Sequence, residues 1–244
     1  MTTPAAYIDP ADFNELYFNL RKREGRHYTD EEVMNLPDIP SSHVYSKEWL
    51  ARKRSSEKLI NYLKKKQEQL KILEAGCGNG WLSHRLAEIP ESKVIGIDIN
   101  FNELEQAAKI FSDCSNLHFI YGDLRSGLFG NNQFDIIVFA SSIQYFPSLT
   151  DILNTSLKLL KEKGEIHIID TNFYKAGESV AAKKRSHEYF SKMGFPEMND
   201  LYFHHPISEL DAFNSKILYQ PSRKFFLKNS QPFPWIVITN EKRK

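Results

Sequence analysis

Between residues 70 and 170, short apolar runs alternate with stretches whose apolar residues recur at three- and four-residue spacings, and this restricts the fold more than any other feature. The runs at 70–75, 93–98, 117–121, 134–140 and 165–170 are rich in Ile, Val and Phe and have the length of buried strands. Helical patterns cover 81–88, 102–111 and 152–161, with Gly164 standing where a helix C-terminal stop belongs. Parallel neighbours need a crossover long enough to hold a helix, so the alternation predicts an α/β fold: a mostly parallel sheet with helices on both faces.

The flanks read differently. Residues 1–46 are polar and rich in Pro and Tyr, and Pro37 and Pro40 interrupt any helix there. A helical pattern over 47–68 carries Trp49, Leu50, Leu59, Ile60 and Leu63, with Arg52, Lys53, Arg54, Lys64, Lys65 and Lys66 as a solvated basic face. Beyond 171, helices are expected over 177–193 and 207–213, and strands over 216–219 and 235–239 that close the sheet as a hairpin with a long loop. At 244 residues this amounts to one domain, 47–244, with 1–46 as an N-terminal extension and 171–205 as an insert after the fifth strand.

The segment Glu74-Ala-Gly76-Cys77-Gly78-Asn-Gly80 stands immediately after a strand and before a helix. Glycines here let backbone N–H groups approach a ligand closely, and the helix N-terminus favours an anionic group, as in a nucleotide-cofactor loop. A merely tight strand-to-helix turn is the plainer alternative. Asp98 ends the second strand, where a carboxylate can accept hydrogen bonds from both hydroxyls of a ribose. Asn100 is placed to cap the following helix, which leaves Asp98 for the ligand. Asp123, in Tyr121-Gly122-Asp123-Leu124 after the third strand, is placed to receive the exocyclic amine of an adenine. All three positions lie at the C-terminal ends of neighbouring strands, where open α/β sheets bind ligands.

On these residues, together with Phe134-Asp-Ile-Ile-Val-Phe-Ala140-Ser141-Ser-Ile-Gln-Tyr145-Phe over the fourth strand, the sequence resembles the class I S-adenosylmethionine-dependent methyltransferases. The resemblance covers residues 45–170 and the remainder by order of elements. It implies a Rossmann-like sheet of seven strands with the last antiparallel, S-adenosylmethionine as methyl donor and S-adenosylhomocysteine as product. It further implies that Gly76 and Gly78 lie against the methionine part of the cofactor, that Asp98 holds the ribose, and that Asp123 with the Leu124 backbone reads adenine. Ala140 and Ser141 border the transferred methyl, and Glu74, Cys77, Gly80 and Ile99 complete the implied binding set. Family members bring a Tyr-, Trp- and Arg-bearing segment over the cofactor from before the first strand, and Tyr45, Trp49 and Arg52 match it here.

Competing chemistries leave different marks. A nicotinamide dehydrogenase carries G-x-G-x-x-G, whereas these glycines fall at 76, 78 and 80. An aminopropyl transferase needs carboxylates for its polyamine, and Phe139-Ala-Ser-Ser-Ile-Gln-Tyr is neutral. A protein- or RNA-directed methyltransferase and a non-catalytic cofactor-binding subunit stay as alternatives, since binding residues alone do not establish turnover. With 32 Lys and Arg against 31 Asp and Glu, the net charge of +1 gives no field to hold a polyanion, so nucleic acid is demoted and a small-molecule acceptor favoured. Its pocket would draw on the aromatics of the two additions, among them Tyr17, Phe18, Tyr28, Tyr174, Tyr189, Phe190, Phe195, Tyr202 and Phe203.

If the acceptor loses a proton, the candidate bases are His204, His205 and Tyr145. Adjacent histidines in an extended segment point to opposite sides, and no Cys, Asp or Glu stands beside them at ligand spacing, so no metal is assigned. Two cysteines, Cys77 and Cys114, are too few for a disulfide framework. No leader-like segment opens the sequence and no apolar stretch approaches a membrane span, so the expected setting is cytoplasmic, with no membrane partner and the oligomeric state unassigned.

Overall fold

The computed structural model describes residues 10–66, 69–175, 177–221 and 232–240. Seven strands are present: β1 (Lys71–Ala75), β2 (Lys93–Asp98), β3 (Leu117–Tyr121), β4 (Phe134–Ala140), β5 (Leu160–Ile169), β6 (Ser215–Tyr219) and β7 (Trp235–Thr239). They form one sheet in the order β3-β2-β1-β4-β5-β7-β6. The first five pair in parallel, and β7 runs antiparallel to both β5 and β6. This is the seven-stranded Rossmann-like architecture expected. Strand order reverses between β1 and β4, which opens a crevice at the C-terminal strand ends.

Both faces of the sheet are covered, which is why its strands read as apolar runs. Ile72, Ile136 and Val138 pack on one face with Leu59, Leu63, Trp81, Leu82 and Leu86 from α3 (Ser46–Lys64) and α4 (Trp81–Ala87). Their chain neighbours Leu73, Ile137 and Phe139 point to the other face, against Leu149, Ile152 and Leu153 of α6 (Leu149–Leu159). The period of two along β1 and β4 thus feeds two separate cores. Between them in sequence, α5 (Phe101–Ile110) follows β2.

Several expectations need correcting. The N-terminal segment holds two helices that its polar composition did not announce, α1 (Pro10–Arg23) and α2 (Asp30–Asn35), and both finish before Pro37, with no helix crossing Pro37 or Pro40. Thr29 accepts from the Glu32 N–H while Glu32 accepts from the Thr29 N–H, a reciprocal cap that defines the start of α2. Gly164 is not a helix stop but lies inside β5, which begins directly where α6 ends. A side chain there would come within 2.8 Å of Leu160 Cδ2 and 3.1 Å of the Asp135 carbonyl, beside the register shift between Phe134 and Ile136. Residues 207–213 form a 3-10 helix, Ile207–Ala212, instead of an α-helix.

The two additions meet each other. Leu16, Tyr17 and Leu20 of α1 pack with Phe190 and Met193 of α7 (Glu178–Met193), with Met198 of the 3-10 turn Pro196–Asp200, and with Tyr145. Among the described residues no helix is long and apolar enough to cross a membrane.

Phe139 is fully buried at the centre of the second core. Phe139→Ala is expected to lower unfolding stability by about 3–5 kcal/mol in urea titration. A loss below about 1 kcal/mol would mean that this core is loosely packed.

Candidate active site

The loop between β1 and α4 is shaped by what it passes. Gly76 has φ +74°, and a Cβ there would lie 2.5 Å from Ser142 Cβ, so only glycine lets this loop approach the segment after β4 so closely. Ser142 Oγ donates to the Ala75 carbonyl at 2.6 Å, and the Gly76 N–H donates to the Ile97 carbonyl at 2.8 Å, which fixes the loop between two strands. Gly80, also left-handed, ends the loop at the start of α4.

Asp98 is held by this loop. Its Oδ2 accepts from the Gly78 N–H at 2.7 Å and its Oδ1 from the Asn100 N–H at 2.8 Å. Asn100 caps α5 through its own side chain, accepting from the Glu103 N–H at 3.2 Å. Because that task is taken, the Asp98 carboxylate faces a cavity of about 1030 Å³ at the strand ends. That lies at the top of the range of about 300–1,000 Å³ for a single small-molecule pocket, leaving room for a cofactor and an acceptor together.

Of the seventeen residues expected from the sequence to bind the cofactor or act as base, nine line this cavity: Gly76, Gly78, Asp98, Ile99, Asp123, Leu124, Ser141, Tyr145 and His204. Eight do not. Glu74 and Cys77 are buried beneath the loop, and Gly80 and Ala140 also lie outside the lining. Tyr45, Trp49 and Arg52 are occupied elsewhere: Tyr45 donates to the Glu24 carbonyl, Trp49 Nε1 donates to the Tyr28 hydroxyl at 2.7 Å, and Arg52 pairs with Glu48 at 2.8 Å. The segment that reaches the cavity from before β1 is instead α1, through Phe13 and Tyr17. His205 is buried, with Nε2 3.2 Å from the Ile143 carbonyl, because the extended backbone turns it away from its neighbour His204.

The glycine-loop side of the cavity gathers carboxylates, of which Glu74 is buried and Asp98 and Glu103 half-buried. Burial, and then the neighbouring Asp98 charge, push Glu74 up to about 8, against the opposing hydrogen bond from Ser83 Oγ at 2.5 Å. Asp98 is itself raised by burial although backbone N–H groups favour its charged form. Glu103, in the first turn of α5, also lines the cavity; burial and the Asp98 charge raise it to about 7, with Arg21 and Arg52 opposing. Sequence reasoning passed over Glu103, whose only signal was its position three residues after the capping Asn100. Asp123 differs: burial raises it, but the clasping Arg125 guanidinium prevails and holds it below the usual carboxylate range.

The wall around Tyr145 is aromatic. Tyr145 is ringed edge-on by Phe13, Tyr17 and Tyr202 at 5.6–5.9 Å, and its hydroxyl accepts from Arg21 Nη2 at 3.0 Å. Burial raises the Tyr145 hydroxyl above its ordinary range. His204 sits 2.9 Å from Ser186 Oγ, and burial, with the Lys183 charge, holds it below the ordinary imidazole value. Ser141 adopts φ +53° at the end of β4, with Oγ donating to the Asp170 carbonyl at 2.9 Å. Gln144 binds the insert to this wall: its carbonyl accepts from the Phe203 N–H at 2.7 Å. Among the described residues no cluster of His, Cys, Asp and Glu could hold a metal ion.

The chain is similar to known proteins. A family model described as a methyltransferase domain matches residues 66–215. A malonyl-[acyl-carrier protein] O-methyltransferase from Halalkalibacterium halodurans is 26% identical over 146 residues, 56% of this chain and 54% of that protein. A demethylmenaquinone methyltransferase from Listeria welshimeri is 25% identical over 155 residues, 62% of this chain and 64% of that protein. The match therefore spans between half and two thirds of the length of these curated relatives. The crystal structure of a magnesium protoporphyrin IX methyltransferase from Synechocystis with bound S-adenosylhomocysteine has a TM-score of 0.61 over 95% of this chain and 100% of that chain; at 17% identity this is a likeness of fold.

Glu74 has a consequence for stability. Its folded value of about 8 lies above the ordinary 4.5, so the folded state holds the proton more tightly. The associated stabilisation is present below about pH 4.5 and is lost as pH rises towards 8, by at most about 1.4 kcal/mol per pH unit. Glu74→Gln is expected to flatten the fall in melting temperature between pH 5 and 8; an unchanged slope would remove Glu74 as its source.

Proposed function

Since the chain belongs to the class I S-adenosylmethionine-dependent methyltransferases, we propose that it transfers the donor's methyl group to an O, N or C nucleophile of a small molecule. The observation that carries this is the Asp98 carboxylate, bound to the glycine loop at Gly78 and facing a cavity large enough for two ligands. The residues fit the donor: a glycine loop that lies close against Ser142 because Gly76 has no Cβ, and a carboxylate at the end of β2 that lines the cavity. Asp98 holds the ribose hydroxyls, Gly76 and Gly78 run along the amino-acid end, and Asp123 with Leu124 borders the adenine. When bound, S-adenosylmethionine supplies a methyl group on a sulfonium centre whose departure needs no acid.

What the chain must add is alignment and exclusion of water. Ser141 and Tyr145 border the acceptor, while α1 and the 171–205 insert, joined by the Leu20–Phe190–Met198 cluster, form its cover. His204 is the base where a proton must leave. When Nε2 donates to Ser186 Oγ, Nδ1 is the atom that can accept, and burial together with the Lys183 charge favours the neutral ring. The covered acceptor end and the +1 net charge support a small molecule over a polymer. The named relatives modify a malonyl group on a carrier protein and a demethylmenaquinone, both non-polymeric acceptor groups. A cytoplasmic setting is supported by Cys77 and Cys114, both free thiols.

Calorimetry with S-adenosylhomocysteine tests the donor site. Binding is expected to weaken by about 1.5–3 kcal/mol in Asp98→Ala while the far-UV spectrum stays unchanged. Equal affinity in the variant would overturn the ribose assignment. For the base, an acceptor found with isotopically labelled donor allows His204→Asn to be compared with His205→Asn. The first is expected to cost about 10²–10⁴ in turnover with loss of an ionisation near neutral pH, the second to leave the pH profile in place. The reverse order would transfer the role to His205.

A further inference from the structure

The charges lining the cavity are sorted by end. Asp98, Glu103 and Asp123 stand at the ends of β2 and β3, with Arg125 committed to Asp123. The opposite end is bounded by α7, where Ser179, Lys183 and His187 follow one another at four-residue spacing and Val180 and Lys184 form a parallel row. These five residues all line the cavity, so one face of α7 presents two ammonium groups and an imidazole to it. The lining acid at that end is Asp200, on the turn after α7.

Among the described residues no carboxylate lies within ion-pair distance of Lys183. Lys184 reaches only Glu188, one turn along its own helix at 4.0 Å with both side chains exposed, a pair of little strength. Beside these cations the wall is apolar: Phe13, Tyr17, Tyr145, Tyr202 and Phe203 face the same space. Both lysines are exposed and solvated, and the lining offers an acceptor two cations together with an aromatic surface. An anionic group on a flat apolar body would satisfy both features.

We infer that the acceptor is an apolar, ring-sized molecule carrying an anionic head group, and that Lys183 and Lys184 select it by binding that head group at the α7 rim. This rests on the small-molecule reading above and names its substrate class. Lys183 is a specificity-determining residue here, separate from the donor-binding set at the other end. The shared chemistry is an anion, and a carboxylate and a phosphate monoester are its two possible sources.

Binding of probe pairs tests it directly: 2-naphthoate against 2-naphthamide, and 2-naphthyl phosphate against 2-naphthol, each measured by calorimetry with and without saturating S-adenosylhomocysteine. The anion of at least one pair is expected to bind about tenfold or more tightly than its neutral partner. Lys183→Gln/Lys184→Gln should cut that preference to below about threefold, Lys183→Arg/Lys184→Arg should retain it, and S-adenosylhomocysteine affinity should be the same in all. The stronger of the two anions identifies the head group. Equal binding of anion and neutral partner, a preference that survives the double Gln variant, or no anion binding at about 1 mM would each overturn the inference. A protein that binds S-adenosylhomocysteine without anion preference loses this inference and keeps the methyltransferase reading. One with anion preference that fails to bind S-adenosylhomocysteine loses that reading and keeps the anion site.

Discussion

The close approach of the loop after β1 to the segment after β4 is the contact on which the site depends. Gly76 lies where any side chain would collide with Ser142, and the backbone is held there by bonds to Ile97 and from Ser142. This brings the Gly78 N–H onto Asp98 and sets Ser141 at the margin of the same cavity. A loop displaced by the width of a methyl group would lose both relations, because the parallel register of β1, β2 and β4 leaves the strands no freedom to follow.

Much of the sheet was legible in the sequence for a physical reason. Strands buried on both faces must be continuously apolar, so Phe134 to Ala140 announces itself, and the glycine loop and Asp98 follow at fixed places relative to the strands. The N-terminal helices were hidden because their burial is tertiary. In α1, Leu16, Tyr17 and Leu20 turn towards partners more than a hundred residues away, and the apolar pattern is diluted by Asn14, Glu15, Asn19 and the basic Arg21-Lys22-Arg23 end. The start of α2 was readable in principle, since Thr29 and Glu32 form a capping box visible in the sequence alone. Gly164 misled because a glycine after a helical pattern is ambiguous; here close approach to β4 demands it.

The glycine-loop half of the cavity was similarly legible and the aromatic half was not. Asp98 and Asp123 owe their positions to the ends of strands, which periodicity locates. The aromatic and cationic lining arises from α1 and α7 meeting over the crevice, and that meeting is set by packing of Leu20 against Phe190 and Met198. The matched segment before β1, Tyr45 with Trp49 and Arg52, illustrates the limit: its residues are of the right kind, yet the structure spends them on Glu24, Tyr28 and Glu48.

The carboxylates carry the argument one step further. Glu74 is buried beside the half-buried Asp98 and Glu103, and the Asp98 charge raises both of the others. A fold selected for stability alone would not gather three acids where burial raises all of them and the Asp98 charge raises two further, since every such shift opposes folding at neutral pH. Ser83, the backbone N–H groups of Gly78 and Asn100, and the charges of Arg21 and Arg52 relieve only part of that cost. The remainder can be recovered by a ligand that brings hydroxyl donors and positive charge to the cavity, so the strain between these groups is itself a reason for the site to bind.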